Sequence, residues 1–437
     1  MILVMGLKKT GQSITDYLTK QNRPYSVYDR KEEVLYRYEI MGVKTYRDDE
    51  IIDDPSIDLV IKSPGIPPYE EHIKYFKERG VKIISDIEFF YTELMPKKVI
   101  AITGTNGKTT TTEMISELLK NEEPITAGNI GMTIFNGNRS QDDIYVLELS
   151  SFQLEDTHEF RPNVAVLLNV EEDHLDWHGS FENYKKAKYK IFENQTSDDA
   201  LIICADTINE NEIHTKSKVY KYSVIKKDGM NAYIDNGKIV INRDDFCVTI
   251  PMEKLKYKEM HNIGNMMAAI LAASFYGIDA ETIDDFLENF KLDFHRVETV
   301  GFYRGVKFID DSKATNPSAT VSALINMPDE TILLLGGFDK QTDFTDPITL
   351  AGRKIKKMIF FGDIKEKLKN TSDTLNVTNY ITATNMKDAF NKAVEISVNG
   401  DTILLSPGAS SFDEFKGYEE RGDYFKQLLQ DLKDGEK

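Results

Sequence analysis

The chain has 437 residues and a net charge of −18, from 72 acidic and 54 basic side chains. That length allows roughly two to four domains around a large buried core. No basic stripe with interleaved aromatics occurs, which argues against a nucleic-acid partner, since phosphate contacts need a local excess of Lys and Arg. The acidity also means that a polyanionic substrate must be neutralised locally, by helix ends, a few Lys or Arg, and divalent metal. Cys204 and Cys247 have no metal-ligand spacing and form no disulfide framework. Ile2-Leu3-Val4-Met5 enters a strand at once, without a signal-peptide layout, and no apolar run nears the roughly 20 residues of a membrane span. These features predict a reduced, soluble, cytoplasmic protein, and the alternating strands and helices that follow predict an α/β fold.

The first segment covers residues 1–93. Strand Ile2–Met5 runs into Gly6-Leu7-Lys8-Lys9-Thr10-Gly11 and a helix through Ile14, Tyr17 and Leu18; a second strand, Tyr25–Tyr28, ends in Asp29-Arg30. This outlines a nucleotide-binding βαβ unit with an acidic residue near the expected offset. Lys8, however, stands at the middle glycine of the dinucleotide fingerprint, where backbone must approach a pyrophosphate, so a nicotinamide dehydrogenase is disfavoured. A domain of this shape that carries no nucleotide stays open as the alternative. Farther on, a buried strand from Leu59 is stopped by the turn Ser63-Pro64-Gly65-Ile66, a ligand address at the carboxyl end of a parallel sheet. Ile83–Asp86 reads as the last strand, and Thr92–Lys98, with Pro96, as a linker.

The second segment, residues 94–293, opens on Val99-Ile100-Ala101-Ile102-Thr103-Gly104-Thr105-Asn106-Gly107-Lys108-Thr109-Thr110. A β-branched strand, a Gly-bracketed turn and a helix with Met114, Ile115, Leu118 and Leu119 on one face form a phosphate cradle. Bare N–H groups and the helix dipole would face an anion, Lys108 would reach the terminal phosphates, and the Thr109 hydroxyl would hold Mg²⁺; an ordinary strand-to-helix turn is the alternative. The loop is shortened, with Ile102 where the strict motif has its first glycine. Glu148 interrupts the apolar strand Tyr145–Leu149, where a carboxylate is costly unless it meets a cation; an outward-facing edge glutamate is the alternative. Glu171–His178, after strand Val164–Val170, reads as a solvated loop, with a second metal or a phosphate contact as the alternative, and the lysines of helix Tyr184–Phe192 as a solvated face. Residues 200–260 read as a small extra sheet with an Asn236-Gly237 type I′ hairpin. Helix His261–Tyr276 places Asn262 and Asn265 on one face, able to read a base edge or, for Asn262, simply to cap.

The third segment, residues 294–437, is another α/β unit with strands Val306–Asp310, Thr331–Leu335, Met358–Phe361 and Thr402–Leu405. Asn316 caps and Pro317 opens a helix. Three strand-to-helix loops, Asp311–Asn316, Gly336–Lys340 and Ser406–Phe412, would gather at one sheet edge. Lys313, Lys340 and Ser411 there could bind the carboxylates of an amino acid, although a surface lysine is solvated by default.

Thr103–Thr109 and Leu147-Glu148-Leu149-Ser150-Ser151-Phe152-Gln153-Leu154-Glu155 resemble the Mur ligases of peptidoglycan synthesis. Asp311-Ser312-Lys313-Ala314-Thr315-Asn316 and Ser63-Pro64-Gly65-Ile66 point, within that family, to the branch that adds D-glutamate. The likeness runs through nearly the whole chain, and implies a UDP-binding Rossmann-like domain (1–93), an ATPase domain (94–293) and a C-terminal Rossmann-like domain for the amino acid (294–437). It further implies a cytoplasmic, monomeric, ATP- and Mg²⁺-dependent ligase of cell-wall biogenesis, which bears on cell shape and division, with UDP-N-acetylmuramoyl-L-alanine and D-glutamate as substrates and no membrane partner.

Carried over on the resemblance, Lys108, Glu148, His174, Lys188 and Arg296 are catalytic. Gly104, Thr105, Asn106, Gly107, Lys108, Thr109, Thr110, Asn262, Asn265, His295, Arg296 and Asp311 match the ATP site. Lys9, Thr10, Asp29, Arg30, Ser63, Gly65, Asn129, Ser150, Gln153 and His174 match the UDP-substrate site, and Lys313, Thr315, Lys340, Ser411 and Tyr418 the D-glutamate site. Thr109 and Glu148 would hold one Mg²⁺, and His174 with Lys188 a second. Lys188 matches a lysine carried as a carbamate, because an ammonium cannot ligate metal whereas a carbamate can. Arg30-Lys31 and Tyr418 depart from the family's more usual residues. A sister ligase for another amino acid and a non-enzymatic nucleotide-binding module are the competing functions.

Overall fold

The computed structural model describes residues 1–437 apart from 49–51, 130–132, 138, 172–174, 259, 292–294, 326, 341 and 436–437. Near-continuous apolar runs make strands buried on both faces, which is the mark of parallel sheets covered by helices. Three sheets result. The first contains β1 (Ile2–Met5), β2 (Tyr25–Tyr28), β3 (Lys44–Tyr46), β4 (Leu59–Lys62) and β5 (Lys82–Ser85), in the order β3-β2-β1-β4-β5. All its pairings are parallel, so Gly6 and Ser63 emerge side by side at the point where strand order reverses.

The second sheet contains β6 (Lys98–Thr103), β7 (Ile125–Gly128), β8 (Ile144–Glu148), β9 (Val164–Leu167), β10 (Ala200–Cys204), β11 (Lys218–Ser223), β12 (Ala232–Asp235), β13 (Lys238–Arg243) and β14 (Phe246–Pro251). Its order, β14-β13-β12-β11-β10-β9-β6-β8-β7, puts β6 between β8 and β9. The strands expected to form a small extra sheet instead continue this one, because β10 pairs in parallel with both β9 and β11. The tail turns antiparallel only at the hairpin, where Asn236 and Gly237 adopt φ of 49° and 73°.

In the third sheet, β15 (Glu298–Tyr303) pairs antiparallel with β16 (Val306–Asp310), and the order is completed by β20 (Thr402–Leu405), β17 (Thr331–Gly336), β18 (Lys357–Phe361) and β19 (Tyr380–Thr382). Asn316 caps helix Pro317–Ile325 through Ala319 N–H at 3.0 Å. Among the described residues no helix is long and apolar enough to cross a membrane.

The chain divides into two compact units, Met1–Lys291 and Leu292–Lys437. The first two sheets share one unit because their connection is short and their surfaces interlock. The expected linker shrinks: helix Asp86–Leu94 takes up Thr92, and Met95, at φ 47°, ends it just before Pro96, which cannot continue a helix. Phe135, from the second segment, packs on Tyr17 and Phe89 of the first, with ring centroids 4.9 and 5.3 Å apart. The buried Glu88 carboxylate accepts the N–H groups of Glu159 and Phe160 at 2.8 and 3.0 Å. Phe135→Ala is therefore expected to cost about 2–4 kcal/mol of stability, seen as an earlier chemical-denaturation midpoint of the full chain.

Candidate active site

The cradle forms at the carboxyl end of β6. Gly107 caps helix Lys108–Leu118 in a left-handed conformation, φ 83°, and a Cβ there would lie 2.6 Å from Asn265 Oδ1. Both the turn and the amide above it demand glycine. Asn169 braces the loop: its side chain accepts from Asn106 N–H at 2.8 Å and donates to Asn106 C=O at 3.0 Å. Thr105 N–H donates to Asn169 C=O at 3.0 Å, and the Thr105 hydroxyl meets Tyr184 OH at 3.0 Å. Lys108 Nζ curls onto the carbonyls of Gly104 and Thr105, both at 2.8 Å.

Lys188 corrects the expectation of a solvated face. It is 2 % exposed, and its Nζ donates to the same Gly104 carbonyl at 2.7 Å while lying 4.6 Å from the centre of the Tyr184 ring. The signal was present: Tyr184, Ala187 and Ile191 form the buried stripe of helix Phe181–Glu193, and Lys188 stands on it at i+4 from Tyr184. His178, expected in a solvated loop, is buried against Phe152, Trp177 and Tyr184, with Nε2 3.0 Å from Ser151 Oγ. His174 lies outside the described residues.

Glu148 ends β8 and is 1 % exposed, so the edge-strand alternative falls away. Its carboxylate accepts from Thr109 Oγ1 and from Asn129 Nδ2, each at 2.8 Å. Asn129 follows Gly128, whose φ of 104° lets the chain wrap the strand end, where a Cβ would meet Glu148 C=O at 2.2 Å. Thr110 lies in the first turn of the helix, and Asn262 lines a small cavity of about 20 Å³ with Met114, Tyr257 and Met266.

On the first sheet, Asp29 accepts Leu7 N–H at 2.6 Å, and Ser63 Oγ donates to Gly6 C=O at 2.8 Å, while Gly65, Lys9 and Arg30 are exposed and Thr10 is half-buried in the first helical turn. Ser150 and Gln153 form a capping box at the head of helix Ser151–Glu155. Gln153 is 2 % exposed and also donates to Asp86 at 3.2 Å, which leaves its amide engaged within the protein. Burial pushes the Asp86 carboxyl up to about 6.

In the second unit, the end of β16 carries consecutive buried acids. Asp310 takes His295 Nδ1 at 2.6 Å, and His295 holds φ 67°. Asp311 accepts Ser406 Oγ at 2.6 Å and Val297 N–H at 3.2 Å. Burial raises Asp311 to about 7. Lys313 and Thr315 follow in a half-buried loop, Ser411 is buried, Tyr418 is half-buried, and Lys340 and Arg296 are exposed. The loops after β17 and β20 do gather, bridged by Phe338 N–H to Ser410 C=O at 2.8 Å. Sequence reasoning missed Arg421. Fully buried, it donates to Ser312 Oγ, Ser312 C=O and Ala409 C=O at 2.8–3.0 Å, joining the loops after β16 and β20, and burial lowers it to about 10. No local pattern marks it; only Gly422 beside it, where a Cβ would strike His295 Nδ1 at 2.0 Å, hints at tight packing.

Family models match along the chain: a "Mur ligase MurD-like, N-terminal domain" over residues 1–85, a "Mur ligase middle domain" over 102–273 and a "Mur ligase, glutamate ligase domain" over 295–408. The UDP-N-acetylmuramoylalanine–D-glutamate ligase of Alkaliphilus oremlandii is 34 % identical over 449 aligned positions, covering 99 % of this chain and 98 % of that one. The enzyme of the same name from Bacteroides fragilis is 40 % identical over 387 positions, covering 86 % of each. Among solved structures, a murein peptide ligase from Psychrobacter arcticus superposes with a TM-score of 0.49 at 18 % identity, covering 97 % of this chain and 98 % of that one.

The raised Asp311 carboxyl gives a test of the second unit's electrostatics. The folded chain holds a proton that the unfolded chain releases near 4, so stability falls as pH rises from about 4 to about 7 and is flat above. Asp311→Asn is expected to raise the melting temperature of the full chain at about pH 8, with the gain shrinking towards about pH 4, followed by calorimetry.

Proposed function

We infer the reaction from one premise: the chain belongs to the Mur ligase family. It is an ATP-dependent ligase that joins D-glutamate to UDP-N-acetylmuramoyl-L-alanine with release of ADP and phosphate, in peptidoglycan precursor synthesis. Such precursors, like ATP, are handled in the cytoplasm, where we place the protein, acting as a monomer.

The observation that carries this reading is the buried Glu148 carboxylate facing Thr109 beside a glycine-bracketed loop onto which Lys108 folds. In the proposed chemistry the terminal alanine carboxylate attacks the γ-phosphorus and ADP leaves, giving an acyl phosphate. The D-glutamate amine then adds to the acyl carbon, and the tetrahedral adduct collapses to the amide as phosphate departs. The first step brings anion against anion, so positive charge must already be in place. Lys108 and the N–H groups of Gly107–Thr110 receive the phosphates; to do so Lys108 exchanges its loop carbonyls for phosphate oxygens. Asn265 keeps the loop narrow, and Asn262 bounds the neighbouring cavity as a base contact.

The Thr109 hydroxyl and Glu148 carboxylate fit a Mg²⁺ ion, which prefers few protein oxygens and keeps its waters. When bound, that ion supplies charge neutralisation between the carboxylate and the triphosphate. The Lys188 ammonium does not fit a second ion; as a carbamate it would, with His174. Lys9, Thr10, Asp29, Arg30, Ser63 and Gly65 are proposed to take the uridine diphosphate and Asn129 the adjoining sugar region. In the second unit Lys313, Thr315, Lys340, Ser411 and Tyr418 are proposed to take D-glutamate, and His295, Arg296 and Asp311 to contact nucleotide.

An amino-acid panel tests the reading. Phosphate release is expected to need both UDP-N-acetylmuramoyl-L-alanine and D-glutamate; turnover with L-glutamate or L-lysine but not D-glutamate would establish a sister ligase instead. For Lys188, alanine substitution is expected to remove most activity, partly restored by bicarbonate or a short carboxylic acid as surrogate ligand. Full activity of Lys188→Ala would remove the carbamate.

A further inference from the structure

Lys62 ends β4, directly before the Ser63–Ile66 turn, and is 1 % exposed. A buried ammonium persists only if its charge is matched, and this one has three partners. Its Nζ donates to Ile66 C=O at 2.7 Å, pairs with Asp156 Oδ2 at 2.9 Å, and lies 5.4 Å from the centre of the Trp177 ring. Each partner belongs to a different element. Ile66 closes the turn, with its N–H on Ser63 C=O at 3.0 Å. Asp156 caps helix Ser151–Glu155, which starts three residues after Glu148. Trp177 lies in helix Leu175–His178 and packs on Phe152 and His178, at 4.7 and 4.5 Å.

On its β1 side the turn is held by backbone: Ser63 N–H donates to Met5 C=O at 2.9 Å. Ser63 Oγ reaches Gly6 C=O at 2.8 Å, and a Cβ on Gly6 would come within 2.8 Å of Ser63 Cβ, so the turn rests on bare backbone on that side. On the other, Ser85 N–H donates to Asp156 C=O at 3.0 Å, and Lys62 and Ser85 are register partners across β4 and β5. Asp86, next along, is held by Gln153 of the same helix. The charged junction thus ties the turn to the elements flanking Glu148.

We propose that Lys62 is a positioning residue for the nucleotide-sugar substrate: by gripping Ile66 C=O, Asp156 and the Trp177 face together, it fixes the Ser63–Ile66 turn against the central sheet. This rests on the reading that Ser63 and Gly65 contact the uridine diphosphate. Nucleotide-sugar seated on the turn is then felt at Trp177, the only tryptophan in the chain, whose fluorescence reports the junction.

The test uses the full chain and UDP-N-acetylmuramoyl-L-alanine as probe. Lys62→Met is expected to raise KM for that substrate about tenfold, leave KM for ATP and D-glutamate within about twofold, and abolish the fluorescence response to it. Because Lys62→Met strands a buried carboxylate and can fail to fold, Lys62→Met/Asp156→Asn, which removes both charges, is measured beside it and is expected to show the same selective KM rise. An unchanged KM in the double variant, or KM values for all three substrates rising together, overturns the proposal. A wild-type chain that does not turn over the nucleotide-sugar at all overturns the parent reading; a wild-type chain that does, beside an indifferent double variant, overturns this inference alone.

Discussion

The side chains of Lys108 and Lys188 converge on one carbonyl oxygen, that of Gly104, with Lys108 supplying the positive charge that faces solvent. In a chain of net charge −18 this is the feature on which the rest of the central architecture depends. An acidic protein repels a nucleotide at long range, so attraction must be concentrated where the anion docks. The parallel order of β8, β6 and β9 brings this about: it sets Glu148, Thr103 and Leu167 at one sheet edge, and helix Phe181–Glu193 then delivers Lys188 from its buried stripe. Glu148, engaged with Thr109 and Asn129, provides the opposing charge beside the cradle.

Holding such groups in place costs conformational entropy, and the first unit meets this with tight backbone packing. Gly107 under Asn265 and Gly128 over Glu148 are positions where any side chain would collide with the machinery itself. The Phe135 cluster and the Glu88 and Lys62 contacts join the first two sheets, so the Ser63–Ile66 turn and the Gly104–Thr110 loop belong to one compact unit. Precision of this kind is better carried on fused elements than on loops alone.

The second unit solves a similar problem differently. Asp310 and Asp311 are adjacent buried carboxyls, a pair that burial alone would penalise. His295 takes one and Ser406 with Val297 N–H the other, while Arg421 underpins the loop that follows. The raised Asp311 is the residue of that compromise.

Much of this was legible locally. Apolar runs gave the central strands of all three sheets but not short or edge strands such as Lys44–Tyr46, Ile125–Gly128, Glu298–Tyr303 and Tyr380–Thr382; Gly104–Thr110 gave the strand-to-helix turn, Asn236-Gly237 the hairpin, and Asn316-Pro317 a helix start, because each signal lies within a few residues and obeys backbone sterics or hydrogen-bond accounting. The tertiary structure alone decided which side chains are spent and on what. It joined the strands of residues 200–260 to the central sheet, engaged Gln153 with Asp86, buried Lys62 and Arg421, and took His178 out of solvent. A charged side chain in sequence looks solvated by default; its burial depends on partners 67, 94 or 109 positions away, as with Asp86 and Gln153, Lys62 and Asp156, or Ser312 and Arg421. Only the packing of distant elements brings such partners within reach, and no local periodicity encodes that.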